Sequence, residues 1–207
     1  MNVHVFGENE LIDRIHRGRL QDSHCISIRD PGEQLPDLIR RTFAGVLELK
    51  FYDADSVAQL GPAQVEKRIP TRLDVKGVVE FYNLTRGAAT GYTVHCWQGQ
   101  SRSPAVALGL LFLITGSEEE ASQRLRRMRP QGRPHQLLVR LFDEVLGCNL
   151  TRVNVEIRRD ALEDLRREIR VLEQAAGLGD PPVTRPSADN DGQGPLARAA
   201  ERKQPGG

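Results

Sequence analysis

"VHCWQGQSRSP", residues 94–104, passes within eleven residues from a β run into a helix start. Residues 92–95 read as a strand. Pro104 stands where a first helical residue would, a position at which proline's missing N–H has no helical partner in any case. The run that follows, "AVALGLLFLI", is apolar on every face and predicts a helix buried inside a domain. A strand entering a buried helix through so tight a loop predicts an α/β layout, and the flanking sequence extends it.

Working outward, residues 3–6, 25–28 and 46–51 are further short apolar runs with the character of strands. Between them, residues 11–15, 35–41 and 75–82 carry helical patterns. In the last of these Val75, Val78, Val79 and Tyr82 follow the i, i+3, i+4, i+7 spacing of one buried face. Thr71 and Asp74 supply a capping box for that helix. Beyond the buried run, Gly116 predicts a helix end, Ser117 and Glu120 a second capping box, and "HQLLVRLFDEVLG" a helix closing at Gly147. Strands alternating with helices imply an α/β fold with a central, mainly parallel sheet of four to five strands and helices on both faces. Ligands of such sheets bind outside the carboxyl ends of the strands, and Val94 to Cys96 forms one such end.

Residues 1–150 read as one domain and 151–176 as a charged C-terminal helix. Leu162, Leu165, Ile169 and Leu172 recur along that helix at three-and-four spacing. With under three heptads, they are expected to pack on their own domain. Residues 177–207, rich in Pro, Gly, Asp and Ser, read as a disordered tail.

The chain of 207 residues is 28% charged and 39% hydrophobic, a soluble globular mix, with a net charge of +1. Without a basic excess, neither nucleic acid nor a membrane surface is an expected partner. The longest apolar run, residues 105–114, falls short of the roughly 20 residues that a membrane span needs. Cys25, Cys96 and Cys148 show no paired spacing, and "MNVHVFGENE" has no secretion pattern. A reducing, cytoplasmic setting is the expectation. Oligomeric state is not readable from the sequence.

Cys96 and Arg102 are separated by Trp97, Gln98, Gly99, Gln100 and Ser101. A loop of this kind aims backbone N–H groups inward as a nest for a tetrahedral oxyanion, and the helix N-terminus adds favourable partial charge. Gly99 permits the turn. Arg102 brings a planar fork that grips two oxygens at once. The same field favours the thiolate of Cys96 and sets it facing the bound phosphorus as a nucleophile. Ser103 can donate a hydrogen bond to the sulfur as it leaves, and His95 can hold the loop through its ring nitrogens. The chemistry calls for no metal and no cofactor. Cys25 and Cys148 read as inert buried thiols.

The loop resembles the signature of the cysteine-dependent tyrosine and dual-specificity protein phosphatases. Together "CISIRDPG", "LELKFYD", "HCWQGQSRSPAVALGLL" and "HQLLVRLFDEVLG" are similar to small bacterial tyrosine phosphatases of the dual-specificity-like group, over about residues 1–148. The resemblance implies a phosphocysteine on Cys96, phosphate binding by Arg102 and the loop amides, and leaving-group protonation by an aspartate upstream. The matching stretch is "KFYDADS", with Asp53 as first choice and Asp55 as second. "GPAQVEKRIP" lengthens the segment between it and the cysteine, which keeps Asp74 in contention. Family members that act on phosphoinositides carry lysines where this loop has Trp97, Gln98 and Gln100, which points to a phosphorylated protein or small phosphomonoester with a single phosphate. Trp97 either stacks on a phosphotyrosine ring or packs beneath the loop. Residues 29–32 read as a structural turn, near the site if the sheet is parallel, and Arg133 and His135, which begin the last domain helix and could approach the pocket, are expected at the surface. Two rivals remain: a phosphoprotein-binding relative with little catalysis, and a rhodanese-type sulfurtransferase.

Overall fold

The computed structural model describes residues 1–20, 22–64 and 66–176. The tail predicted for residues 177–207 lies outside the described residues. In chain order the elements are β1 (Asn2–Gly7), α1 (Glu8–His16), β2 (His24–Arg29), α2 (Asp37–Thr42), β3 (Gly45–Lys50), a 3-10 turn (Val57–Gln59), α3 (Arg72–Thr85), β4 (Gly91–Cys96), α4 (Arg102–Thr115), α5 (Glu118–Met128), α6 (Gln136–Leu146) and α7 (Leu150–Ala175).

The four strands form one sheet in the order β1-β4-β2-β3, and every neighbouring pair is parallel. This is the α/β fold expected from the alternation of strands and helices. Both inner strands, β4 and β2, are buried along their whole length, as strands covered on both faces must be. The register aligns Gly7 with Cys96, Ser27 with His95 and Arg29 with Lys50. The carboxyl ends of all four strands therefore open on one edge of the sheet, and the loops that leave them converge there.

Helices α1 and α2 cover one face, where Phe6, Leu11, Cys25, Leu35, Ile39 and Phe43 form a small core. The larger core lies on the other face. There α4 is buried from Arg102 through Leu111, between the sheet and the outer helices α5 and α6. Its lack of a polar face is the reason it can lie inside, and each fully buried leucine contributes roughly 1.5–3 kcal/mol. The helix begins two residues earlier than its proline suggests, so Pro104 is the third helical residue, not the first. The first four helical N–H groups have no intrahelical acceptor, so proline is tolerated there for the same reason.

The Asp74 carboxylate accepts from the N–H of Thr71 at 2.9 Å and from its hydroxyl at 2.7 Å, fixing the start of α3. Ser117 caps α5 by accepting from the Glu120 N–H, while the Glu120 side chain pairs with Arg124 instead of returning to the cap. Gly116 and Gly147 end their helices in the left-handed conformation.

Helix α7 departs from expectation. Leu150, Val153, Ile157 and Ala161 pack against the domain, but Leu162, Leu165, Ile169 and Leu172 are exposed. The buried positions form one stripe and the exposed leucines another, rotated around the helix. Following the buried stripe onward leads to Asp164 and Glu168, so the helix leaves the domain surface at Ala161. Among the described residues no helix is long and apolar enough to cross a membrane.

Candidate active site

The loop between β4 and α4 is held from behind. The carbonyl of Trp97 accepts from the Glu8 N–H, that of Gln100 from the Arg133 N–H, and that of Ser101 from the N–H groups of His135 and Ala105. The carbonyls of Gln98 and Gly99 accept from the guanidinium of Arg129, at 3.2 and 3.0 Å. Every carbonyl from Trp97 to Ser101 is thus turned outward and engaged. The N–H groups of Gln98, Gly99, Gln100 and Ser101 donate to no other described residue. A loop whose acceptors all face out presents its donors inward, which is the geometry an oxyanion nest requires.

Gly99 makes that geometry possible. Its φ is +71°, and a Cβ there would lie 2.5 Å from the amide nitrogen of Gly7 and 2.6 Å from the carbonyl carbon of Phe6. Both the backbone conformation and the contact with β1 require glycine. Gly99→Ala is expected to cost about 1–3 kcal/mol through strain at this one residue. Urea unfolding with and without added phosphate checks this, and the variant should lose protection by phosphate as well as intrinsic stability.

Cys96 lies at the base of the loop, 3% exposed, with its Sγ 3.2 Å from the Ser103 hydroxyl. Arg102, also buried, donates through Nη1 to Asp30 Oδ1 at 2.5 Å and to the carbonyl of Phe51 at 2.8 Å. These acceptors follow β2 and β3 and orient the guanidinium. Among the described residues its Nε has no hydrogen-bond partner, and it lies 3.9 Å from Asp53 Oδ2. Asp53 accepts from the Ser101 hydroxyl at 2.7 Å and sits 3.4 Å from His135 Nε2. A cleft of about 470 Å³ opens over these groups, lined by Asp30, Asp53, Asp55, Ser101, Arg102 and His135 among others.

The three candidate acids separate cleanly. Asp53 faces the loop. Asp55 accepts from the Leu137 N–H at 2.9 Å and ties its own loop to the first turn of α6. Asp74 is the α3 cap, paired with Arg68 at 2.6 Å. Of the two orientations open to Trp97, the structure has the exposed one: the side chain is 61% exposed at the rim.

Several side chains at the site were assigned other places by sequence reasoning. Asp30 lies in the expected turn, where its carbonyl accepts from the Glu33 N–H, and its side chain also pairs with Arg102, a role not assigned to it from the sequence. His135 was expected on the surface, yet it is buried between Asp53 and Asp55. Its burial lowers its pKa, while the two carboxylates oppose that shift. Arg129 was not singled out at all. It is held by Glu10 at 2.8 Å, and Arg29 pairs with Glu8. Both acids sit in the first turn of α1, where negative charge is favoured. For Asp30 a signal existed, because it directly follows the carboxyl end of a parallel strand. Arg129 and His135 reach the loop only through helix packing, which leaves no local mark.

His95 also differs from expectation. It is fully buried beneath the loop, and among the described residues neither ring nitrogen has a hydrogen-bond partner, so it does not tether the loop through them. Burial, reinforced by Arg29, lowers its pKa from 6.5 to about 3 and keeps the ring neutral in the folded state. Below about pH 6.5 the unfolded chain takes up a proton that the folded protein refuses. The His95 contribution to stability is therefore complete above that pH and is lost as pH falls toward 3. Urea midpoints measured at descending pH should fall in the wild type and fall less steeply in His95→Gln.

A parallel sheet that ends in a thiol, a guanidinium and an outward-tethered loop has the architecture of the dual-specificity-phosphatase-like fold. A solved structure agrees. The chain is similar to DUSP15 with a TM-score of 0.52 and 16% identity, over 76% of this chain and 91% of that one. Further similarity extends to the Yvh1 phosphatase domain from Chaetomium thermophilum (TM-score 0.49, 17% identity, 72% and 93% covered) and to Tk-PTP in its active form (TM-score 0.48, 19% identity, 70% and 91% covered). No family model and no curated protein sequence matches the chain.

Proposed function

We propose that this chain is a cysteine-dependent phosphatase that hydrolyses phosphotyrosine through a phosphocysteine, with phosphoserine and phosphothreonine as the alternative substrates to test. The observation that carries this reading is the loop itself, with all its carbonyls engaged outward and Cys96 and Arg102 at its base.

In the first step the Cys96 thiolate attacks phosphorus, an S–P bond forms and the ester P–O bond breaks. Asp53 delivers its proton to the departing oxygen. The loop amides and Arg102 hold the three equatorial oxygens, where negative charge is spread in the transition state. In the second step the Asp53 carboxylate takes a proton from water as that water attacks phosphorus. The S–P bond breaks, inorganic phosphate is formed, and the Ser103 hydroxyl donates to the emerging thiolate. Asp30 and the Phe51 carbonyl act as positioning groups for Arg102, and Arg129 does so for the loop. The uncharged Gln98 and Gln100 suit a substrate with one phosphate, and the exposed Trp97 offers a surface for an aromatic ring. A reducing compartment such as the cytoplasm suits a nucleophile that must remain a free thiol; all three cysteines are free.

Phosphate release from an aryl phosphate in the presence of a chelator tests the reading. Sustained turnover is the expected result, and a burst of one equivalent followed by arrest would instead make the chain a phosphoprotein binder. The role of Asp53 has its own test. Asp53→Asn should slow hydrolysis of alkyl phosphates by roughly 10²–10³-fold and of an activated aryl phosphate far less, because only the poorer leaving group needs the proton. Equal losses on both would assign the proton to another group. Asp55→Asn should show no such split.

A further inference from the structure

Among the described residues the second half of α7 is exposed, with Leu165 at the edge of a cleft of about 840 Å³ that it shares with Gln100, Pro130, Gln131 and Arg133. Leu162, Leu165, Ile169 and Leu172, spaced by three, four and three residues, occupy the a and d positions of two heptads and are 42%, 38%, 45% and 68% exposed. They are not a continuation of the face that packs on the domain, since that face runs on into Asp164 and Glu168. A helical segment of this length is marginal by itself in water, and an apolar seam along it is the signature of a helix that pairs.

We propose that this seam pairs two copies of the chain through an antiparallel contact between their α7 helices. Other occupants fit less well. A helix that lies on an anionic membrane surface carries a Lys/Arg-rich polar face. Here Arg166, Arg167 and Arg170 are balanced by Glu163, Asp164, Glu168 and Glu173. The chain beyond Ala176 has only Leu178, Val183 and Leu196 as large aliphatic residues, at spacings that build no matching seam.

The flanking charges select the orientation. In an antiparallel pair Leu162 meets Leu172 of the second copy and Leu165 meets Ile169, and the e positions then face each other. Those positions are Arg166 and Glu173, so twofold symmetry produces two Arg–Glu pairs. A parallel in-register pair would set g against e, bringing Glu168 against Glu173, a repulsive contact. With two heptads the contact is at the small end of specific interfaces, so association in the micromolar range is expected.

Sedimentation velocity on the full chain, from low micromolar to high micromolar concentration, tests the proposal. A concentration-dependent monomer–dimer equilibrium is expected. Leu165→Asp should weaken it by at least about tenfold while phosphatase activity at low concentration stays unchanged. Glu173→Arg should also weaken it, by opposing Arg166, and Arg166→Glu combined with Glu173→Arg should restore it. A monomer at every concentration, or a dimer indifferent to Leu165→Asp, overturns the proposal. A dimer strengthened by Glu173→Arg overturns the antiparallel arrangement, because only a parallel pair gains from an arginine opposite Glu168. Binding of the monomer to anionic vesicles through the same leucines would assign the seam to a membrane surface and overturn the proposal too.

Discussion

Cys96→Ser is expected to abolish phosphate release, by on the order of 10⁴-fold or more, while the protein still binds inorganic phosphate. A serine hydroxyl is not ionised at neutral pH, and the residues around Cys96 offer no base to ionise it. His95 lies beneath the loop as a neutral ring without a hydrogen-bond partner among the described residues, and the Ser103 hydroxyl is an alcohol like the one introduced. The binding apparatus is independent of the sulfur, because the loop carbonyls are held by Glu8, Arg129, Arg133, His135 and Ala105. Rate and binding should therefore separate. Turnover on an aryl phosphate is measured beside protection of the fold by phosphate in urea. An unchanged rate would rule out the sulfur as nucleophile. Loss of both rate and binding would show that the thiol shapes the loop and does more than attack.

The second large effect belongs to Arg102→Lys, for which we expect a fall of roughly 10²–10³-fold in kcat/KM. The guanidinium is oriented by one donor nitrogen that serves both Asp30 and the Phe51 carbonyl. This leaves its remaining donors free to bind an anion in one plane. A lysine ammonium is a compact charge on a flexible stem and cannot satisfy those anchors while also presenting two parallel donors. Because the phosphate is charged before and during reaction, KM and kcat should both suffer. The check is steady-state kinetics together with a melting curve. Kinetics close to wild type in a well-folded lysine variant would show that charge alone suffices and that the fork is not used.

The sheet was legible in the sequence because its strands are short, apolar and separated by amphipathic helices, so period and punctuation agree. The buried helix after the loop was legible for a simpler reason, the absence of any polar face from Ala105 to Ile114. In the site, Cys96, Arg102 and Ser103 could be read because they share one continuous loop, where spacing in sequence is spacing in space. Their neighbours could not. Asp30 comes from the β2–α2 connection and Arg129 and His135 from the α5–α6 connection, and they meet the loop only through the parallel register and the packing of α5 and α6. The choice between Asp53 and Asp55 had the same character: both lie at the end of the same strand, and only the position of α6 shows which one it holds. Helix α7 illustrates a different limit. Its two apolar stripes overlap in sequence, and their separation around the helix becomes visible only once the domain has claimed one of them.

The outward tethering of the loop carbonyls has a consequence for the energetics of binding. Five peptide units are already confined when the domain folds, so an arriving anion orders almost nothing. What such a rigid loop is built to recognise is charge and tetrahedral shape, which a phosphate ester and free phosphate share. Inorganic phosphate therefore leaves a site as well suited to it as to substrate. If the proposed hydrolysis is what this site performs, sulfate and arsenate, which share the geometry of phosphate, are expected to compete with substrate, and accumulating phosphate to slow turnover.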